Sequence, residues 1–454
     1  MSQLLSSCCI ISLMRVQPAR RIRGHLRLPG DKSISHRAAI ISALAEGRTR
    51  ISNFSTSEDC AATLACLGRL GVSLNHDQDS VRVEGVGPAG FRRAPDWPLD
   101  CGNSGSTMRL LAGVLAGQNF VSTLTGDSSL RARPMKRIIE PLEMMGARVL
   151  SDDGHAPLFI EGRRPLAPLS YEMLIASAQV KSCILLAALN ANGRTEVVEK
   201  LAATRDHTER MLRWFGVTVE TRNDQYGNVS SDVVSIEGPA QLSARDLSIP
   251  GDISSAAFFI AAAAMLPGSE LEISDLGLNP TRTQILWTLL SLGADVSVED
   301  TGDRCNEPFG HVRVRGGGGL APRFDGANVL SGLSVARLID ELPVLAVVGT
   351  QLQGGLTIRE AAELRVKETD RIAATAANLR AMGAEVEEYE DGLSVAGRTR
   401  LRGAALDARG DHRIAMAFAI AALTAEGESE IEGAECVTVS FPEFFRLLES
   451  VVER

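Results

Sequence analysis

The sequence predicts an α/β protein of two domains, each built from three repeated units, and three observations lead to this prediction. The chain has 454 residues, too many for one compact core. A glycine that follows an apolar helical stretch recurs six times at intervals of 70 to 86 residues, and a second glycine between a helix and an alternating strand marks every unit except the last. This spacing is too long for a solenoid and suits a small α/β subdomain. The first set comprises Gly47, Gly117, Gly193, Gly268, Gly354 and Gly427, and the second Gly71, Gly146, Gly216, Gly293 and Gly383.

Each unit is predicted to run helix, strand, loop, helix and strand, often with a further strand, which gives mixed sheets. The units group as three and three around Pro250-Gly251. The strand Arg21 to Leu28 precedes the first unit, and we assign it to the second domain. Residues 1–30 are therefore expected to be an N-terminal extension and a strand of the second domain, 31–249 the first domain and 250–454 the second. Residues 1 to 13 lack the features of a secretory signal and are expected to be disordered.

The composition is that of an ordinary soluble globular protein, 44% hydrophobic and only 4% aromatic. A net charge of -9 argues against a general nucleic-acid binder, and no apolar run is long enough to cross a bilayer. The eight cysteines have no metal-type spacing, so we expect reduced thiols in the cytoplasm and no metal site.

Most of the predicted helices begin with polar residue types that bind anions. A helix start combines unpaired backbone N–H groups with the positive end of the helix dipole, so anionic ligands bind there. Because the whole chain is acidic, such a site must be locally basic. The six openings are 31–37, 102–107, 177–182, 251–255, 340–341 and 411–413.

The clusters of the first half each leave two interpretations open. Asp31 suits a helix cap and Lys32 a solvated side chain, but together with Ser33 they equally suit an anion site. Arg133 is either a solvated loop charge or a bidentate clamp for a carboxylate or phosphate. Pro134 is expected at the first position of the next helix.

The clusters of the second half are equally ambiguous one by one. Lys367 and Arg371 are expected four residues apart on one helical face, an arrangement usually found in exposed charge pairs. Asp340 is either a helix cap or, if buried near Lys367, an ionised general base. A capping Asp411 and a surface His412 are the simplest interpretation of the last cluster. Homologous positions of repeated units tend to converge on one face, which favours a single shared site.

Seven motifs in order also carry a resemblance that covers the chain from about Arg21 to Val452. Together they resemble the 5-enolpyruvylshikimate-3-phosphate synthases. The motifs are Pro29 to Arg37, Gly102-Asn103-Ser104-Gly105, Arg133-Pro134-Met135, Ser177 to Ser182, Thr204 to Glu209, Arg365 to Arg371 and Asp411-His412-Arg413.

The resemblance implies a two-domain inside-out α/β barrel with three βαβαββ-like units per domain. It implies transfer of the enolpyruvyl group of phosphoenolpyruvate to the 5-hydroxyl of shikimate 3-phosphate, with release of phosphate, in the pathway to chorismate and the aromatic amino acids. A cytoplasmic monomer without metal or cofactor is expected, with these two small molecules as its partners. Glyphosate inhibition is also implied, with Gly105 leaving room for the inhibitor.

The resemblance also assigns roles residue by residue. Asp340 would be the base near the 5-hydroxyl, and we take Glu368 as the proton donor to the methylene, with Lys32 as the third catalytic residue. Some members carry a lysine where Val439 stands, so no phosphoenolpyruvate contact is carried over to that segment. Shikimate 3-phosphate would be held by Lys32, Ser33, Arg37, Ser177, Ala178, Gln179, Arg205, Asp340 and Lys367, and phosphoenolpyruvate by Lys32, Gly105, Arg133, Gln179, Arg371 and Arg413.

Two other functions remain open at this stage. The enolpyruvyl transferase of peptidoglycan synthesis has a similar fold, but its active loop usually carries a cysteine before Ala-Arg-Pro, and the loop from Gly126 to Pro134 has none. A non-catalytic anion-binding scaffold could use the same six helix starts.

Overall fold

Helices and short strands alternate along the whole chain. A computed structural model describes residues 13–454 except 78, 92–94, 201–202, 227–228 and 318, and it describes only the backbone of 225, 226, 229 and 230. Its α-helices are α1 (Lys32–Leu44), α2 (Glu58–Arg69), α3 (Gly105–Ala116), α4 (Ser128–Arg131), α5 (Lys136–Met144), α6 (Ala178–Ala188), α7 (His207–Trp214), α8 (Ile253–Met265), α9 (Gln284–Ser291), α10 (Leu333–Leu338), α11 (Leu342–Gln351), α12 (Arg371–Ala381), α13 (His412–Leu423) and α14 (Phe444–Val451). Short 3₁₀ helices cover Gly87–Ala89, Ala362–Val366 and Ala434–Val439.

The strands are β1 (Leu13–Val16), β2 (Arg21–Arg27), β3 (Glu46–Ser52), β4 (Ser73–Asp77), β5 (Ser80–Val86), β6 (Leu99–Asp100), β7 (Val121–Thr125), β8 (Arg148–Asp152), β9 (His155–Glu161), β10 (Ser170–Met173), β11 (Gly193–Glu199), β12 (Val219–Tyr226), β13 (Val229–Gly238), β14 (Leu247–Ser248), β15 (Glu270–Gly277), β16 (Asp295–Arg304), β17 (Glu307–Arg315), β18 (Val329–Leu330), β19 (Leu356–Ile358), β20 (Val386–Tyr389), β21 (Gly392–Val395), β22 (Ala405–Asp407), β23 (Ser429–Glu432) and β24 (Val452–Glu453).

Six sheets confirm the predicted α/β class and its mixed strand directions. In the sheet β6-β7-β9-β8, the first pair is parallel and the other two pairs are antiparallel. The same order recurs in β14-β3-β5-β4, β10-β11-β13-β12 and β18-β19-β21-β20, and within the five-stranded sheet as β2-β15-β17-β16. Helices α3 and α5 follow the first and second strands of the β6 sheet, which gives the βαβαββ order expected of a unit.

Two strands come from distant parts of the chain. Strand β2 is parallel to β15 and antiparallel to β24, so it belongs to a sheet of the second half. Strand β14 is parallel to β3 and completes the first sheet. The chain therefore passes twice between the halves, and the two passages meet at a bridge between Gly30 and Gly251. A Cβ on Gly30 would lie 1.8 Å from the carbonyl oxygen of Asn53, so only glycine fits at this crossing.

The first helix of each unit is buried inside its half, and the sheets lie outside. Helices α1, α3 and α6 pack together in one half, and α8, α11 and α13 in the other. Nearly all of their residues are buried, and those beyond the first turns are mostly apolar, which suits a helix surrounded by protein. Two separate apolar cores result, one built from residues between Ile34 and Ile249 and the other from Val16 to Leu28 together with Ile253 to Val451.

The N-terminal strand and the last unit differ from the sequence predictions. Residues 1–12, including most of the segment expected to be disordered, lie outside the described residues. Leu13 begins β1, which the sequence analysis missed and which pairs antiparallel with β23. The sixth unit lacks the usual hairpin, and β1 takes the place beside β23 that a hairpin strand occupies in the other sheets. Within the described part of the chain, no helix is long and apolar enough to cross a membrane.

Candidate active site

The fourteen residues predicted from sequence line one cleft of about 350 Å³ between the two halves. Eleven Lys or Arg side chains and six Asp or Glu side chains line it, so the cleft is basic although the chain as a whole is acidic. Such an excess of cations in a partly buried space attracts anions. The predicted residues are Lys32, Ser33, Arg37, Gly105, Arg133, Ser177, Ala178, Gln179, Arg205, Asp340, Lys367, Glu368, Arg371 and Arg413.

Three helix starts of the first half face this cleft. Asp31, Ser104 and Ser177 are the capping residues of α1, α3 and α6, and each side chain accepts a hydrogen bond from the backbone three residues on. The caps leave other first-turn N–H groups unpaired, which are the groups that bind anions. In the second half, Asp252 and Asp411 cap α8 and α13 in a similar way.

Lys32 and Arg37 project from the first turns of α1 as buried cations. The Lys32 ammonium is 2.9 Å from Asp59; burial lowers the pKa of Lys32, but this carboxylate raises it overall. The Arg37 guanidinium donates to Thr208 Oγ1 at 2.7 Å and to Ser182 Oγ at 2.8 Å. Burial lowers the pKa of Arg37 to about 10, which leaves it charged at neutral pH.

Glu368 bridges two buried arginines from opposite halves. Its carboxylate is 3.2 Å from Arg133 Nη1 and 2.7 Å from Arg371 Nη2. Arg371 is fixed from behind by Asp411, whose Oδ2 accepts from Nε at 2.8 Å. Burial favours the neutral acid, but the two arginines hold the pKa of Glu368 well below its usual range. The raised pKa that a proton donor near neutral pH needs is therefore not found for Glu368.

Asp340 is an ionised acceptor surrounded by cations. Arg205 Nη2 donates to its Oδ2 at 2.5 Å across the cleft, and Arg371 Nη1 lies 3.7 Å from Oδ1. Burial raises the pKa of Asp340, but Arg205, Arg413 and Lys367 outweigh it and hold that pKa well below its usual range. Burial lowers the pKa of Lys367. Asp340 is therefore ionised, as a proton acceptor must be, although the same cations weaken it as a base.

Gly105 and Gln179 lie together at the starts of α3 and α6. Gln179 donates to Ser106 Oγ at 2.9 Å and accepts from Arg109 Nη1 at 2.5 Å. A Cβ on Gly105 would lie 2.9 Å from Arg109 Nη1 and 3.5 Å from Arg133 Nη1. The glycine therefore keeps open the space in front of these two guanidinium groups.

Two local predictions about helices are wrong. Lys367 and Glu368 lie between a 3₁₀ helix and α12, and Arg371 is the first residue of α12, because Asp370 caps that helix by accepting from the backbone N–H of Ala373. Pro134 is not the first residue of α5, which begins two residues later at Lys136.

Several of the simple interpretations from sequence are also wrong. Asp340 makes no helix cap, because α11 begins at Leu342 without a side-chain cap. His412 is 3% exposed, and burial together with Lys32 holds its pKa well below the usual range, so it is neutral rather than a charged surface group. Asp411 does cap α13, but it also holds Arg371.

The cleft also contains charged residues to which sequence reasoning gave no role. Most of them come from second helices and from loops, where no repeated helix opening marks them; Asp252, within the opening 251–255, and Arg109, one turn after Gly105, had a usable signal. Within the described ranges, no group of three His, Cys, Asp or Glu side chains is arranged to hold a metal ion. The further charged lining residues are Asp59, Arg109, Arg137, Asp252, Arg282, Arg337, Glu360 and Glu363.

Comparison with known proteins agrees with this geometry. The family described as EPSP synthase (3-phosphoshikimate 1-carboxyvinyltransferase) matches residues 16–448. The 3-phosphoshikimate 1-carboxyvinyltransferase of Koribacter versatilis is 50% identical over 442 residues, which is 97% of this chain and 99% of the relative. That of Geobacter sp. (strain M21) is 46% identical over 441 residues, with the same coverage.

A solved structure of EPSP synthase from Acinetobacter baumannii superimposes with a TM-score of 0.83 at 38% identity, covering 97% of this chain and 98% of that one. Sequence and fold thus agree over almost the full length. The chain belongs to the EPSP synthase (3-phosphoshikimate 1-carboxyvinyltransferase) family.

Proposed function

We propose that this protein transfers the enolpyruvyl group of phosphoenolpyruvate to the 5-hydroxyl of shikimate 3-phosphate and releases phosphate, as a step of aromatic amino acid biosynthesis. The observation that carries the proposal is the basic cleft, which gathers cations and helix starts from both halves around two carboxylates. Two anionic substrates held side by side require this arrangement, because their mutual repulsion must be offset by fixed positive charge.

Shikimate 3-phosphate is assigned to the wall formed mainly by the first half. Ser177, Ala178 and Gln179 present the start of α6, and Arg37 and Arg205 supply positive charge for its phosphate. Lys32, Ser33, Asp340 and Lys367 complete this set of ligands. The helix start and the guanidinium groups together suit a phosphate dianion.

Phosphoenolpyruvate is assigned to the space between Arg133 and Arg371. These two guanidinium groups face each other across Glu368, and both can bind a carboxylate or phosphate in a bidentate manner. Gly105 keeps the space in front of Arg133 open. Lys32, Gln179 and Arg413 complete this set.

The reaction is an addition followed by an elimination, with Asp340 and Glu368 moving the protons. In the first step the oxygen of the 5-hydroxyl bonds to C2 of phosphoenolpyruvate. Asp340 accepts the proton of this hydroxyl, and Glu368 gives a proton to C3. In the second step the C2–O bond to phosphate breaks, C3 returns a proton to Glu368, and the proton held by Asp340 passes to the departing phosphate, which regenerates both carboxyl groups. An anion bound to Arg133 and Arg371 offsets the charges that depress the pKa of Glu368, and so moves that pKa upward, in the direction that a proton donor requires.

Several features of the whole molecule belong to the same proposal. The domains are residues 31–249 and 250–454, with 1–30 contributing a strand to the second, and they close on shikimate 3-phosphate. The enzyme works as a monomer without metal or cofactor, since one chain supplies both walls of the cleft. The described cysteines are all free thiols, which supports a reducing compartment such as the cytoplasm.

A coupled assay of phosphate release tests the proposal. Purified protein is given phosphoenolpyruvate with shikimate 3-phosphate in one arm and with a nucleotide sugar acceptor in the other. Release only in the first arm is expected. Release only in the second would identify the peptidoglycan type of enolpyruvyl transferase, and binding of both anions without release would identify a non-catalytic scaffold.

A further inference from the structure

A buried cluster of three charged side chains lies behind the loop that carries Arg205. The Lys181 ammonium is 2.9 Å from Glu199 and 2.7 Å from Glu209, and all three side chains are at most 2% exposed. We call these residues the Lys181 cluster. Burying ions costs several kcal/mol each, and well-packed apolar side chains are often as stable. A contribution to the stability of the fold is therefore a weak explanation for the presence of this cluster.

The cluster holds the backbone of Thr204 from both sides. The Thr204 N–H donates to Glu199 Oε1 at 2.9 Å, and Lys181 Nζ donates to the Thr204 carbonyl oxygen at 3.3 Å. Thr204 immediately precedes Arg205, and residues 203–206, just before α7, have no regular secondary structure. The two buried side chains thus supply the hydrogen bonds that a helix or sheet would otherwise give to this peptide.

The neighbours of the cluster hold Arg37 as well. Ser182 and Thr208 are adjacent in sequence to Lys181 and Glu209, and their hydroxyl groups are 2.6 Å apart. Both also accept hydrogen bonds from the Arg37 guanidinium. Helices α6 and α7 are therefore joined at one buried point that adjoins both arginines assigned to shikimate 3-phosphate.

We propose that Lys181 and Glu199 are positioning residues for shikimate 3-phosphate, which set the place of Arg205 through the backbone of Thr204. The inference rests on the proposed function, because it takes Arg205 as a ligand of that substrate. Among the described residues, the side-chain hydrogen bonds and ion pairs of Lys181, Glu199 and Glu209 reach only one another and the backbone of Thr204. None involves Arg133 or Arg371, so the effect is selective for one of the two substrates.

The test is the variant Lys181→Met, which keeps a long unbranched side chain but removes the ammonium group. We expect its Kd for shikimate 3-phosphate alone, measured by calorimetry, to rise at least about tenfold, the equivalent of losing one charged hydrogen bond. The KM for phosphoenolpyruvate at saturating shikimate 3-phosphate and kcat should stay within about threefold of wild type. Lys181→Arg keeps the cation and should restore most of the affinity.

Lys136→Met is the matched control, since it removes an ion pair of the same 2.9 Å length from the surface of the same half. This control should leave the Kd for shikimate 3-phosphate and the KM for phosphoenolpyruvate unchanged. The inference is overturned if the Kd of Lys181→Met for shikimate 3-phosphate is within twofold of wild type, or if the substitution weakens the binding of both substrates equally. If Lys181→Met does not fold, Glu199→Gln replaces it, with weakening of threefold or more expected and a change below twofold overturning the inference. Wild-type protein that neither binds shikimate 3-phosphate nor releases phosphate would instead overturn the proposed function.

Discussion

Replacing Glu368 with Gln separates proton transfer from substrate binding. This carboxylate pairs with both Arg133 and Arg371, at 3.2 Å and 2.7 Å. These are the guanidinium groups assigned to phosphoenolpyruvate, so the ionised side chain competes with the substrate for them. Glutamine keeps the shape of the side chain, loses the negative charge and cannot deliver a proton to C3 near neutral pH.

The structure therefore predicts opposite effects on turnover and on affinity. Loss of a general acid lowers kcat by about 10² to 10⁴. A hydrogen bond to a charged group is worth about 1.5 to 3 kcal/mol, and part of this amount is returned when Arg133 no longer has a competing carboxylate. The Kd for phosphoenolpyruvate in the presence of shikimate 3-phosphate should therefore stay the same or fall by up to about tenfold.

The rate of phosphate release measures kcat, and calorimetry measures the Kd for shikimate 3-phosphate and the Kd for phosphoenolpyruvate. Glu390→Gln is the control, because it neutralises an exposed carboxylate in the same repeated unit. A kcat for Glu368→Gln within threefold of wild type would remove Glu368 from the mechanism. A tenfold loss of phosphoenolpyruvate affinity with little change in kcat would make it a binding residue instead.

Three further predictions concern inhibition, closure and pH. In Gly105→Ala the added methyl lies 2.9 Å from Arg109 Nη1 and close to Arg133, so glyphosate should inhibit at least about tenfold more weakly; equal inhibition of both proteins would refute the steric argument. Shikimate 3-phosphate should reduce the radius of gyration in small-angle scattering, because neither half alone holds all the cations, and identical profiles would contradict domain closure. Burial would raise the pKa of Asp31, but Arg282 at 3.0 Å, together with His207 and the Ile34 N–H, lowers it to about 2 from the usual 3.8. Its ionised form therefore adds about 2 kcal/mol of stability above pH 4, lost as the pH falls through 2. Because Asp340 and Glu368 also lose stabilisation in acid, urea unfolding should show a loss in both proteins that is about 2 kcal/mol smaller in Asp31→Asn, and equal losses would contradict this.

The repeated architecture could be predicted because each unit has recognisable local features in the sequence. An apolar helix, a closing glycine and a β-branched strand recur at similar distances, and these local signals correspond to the six sheets. The assignment of β2 to a sheet of the second half was an inference from unit counting, and its pairing with β15 agrees with it. Strand β1 was missed because it has only four residues and completes a sheet whose other strands lie near the C-terminus.

Only part of the site could be predicted from the sequence, because only some of its residues have a local signal. Helix openings such as Lys32 and Arg413 have a local signature, since a similar polar cluster recurs at the start of an apolar helix in several units. Asp59 and Arg137 reach the same cleft from second helices of their units, where a charge looks like any solvated side chain. The state of Glu368 depends on arginines from both halves, so its pKa could not be deduced from its own segment.

Ion pairs across the cleft explain how so many cations are tolerated in a partly buried space. Arg205 with Asp340, Arg133 with Glu368 and Arg137 with Glu363 each join one half to the other. An arginine buried without a counterion would be costly, so these carboxylates act as its partners. In the proposed reaction an anionic substrate takes over Arg205 or Arg133, and the carboxylate that it replaces is left beside the reacting atoms, where a base or an acid is needed. The proposed function thus makes binding and activation one exchange of partners, in which the substrate replaces the carboxylates and frees them for proton transfer.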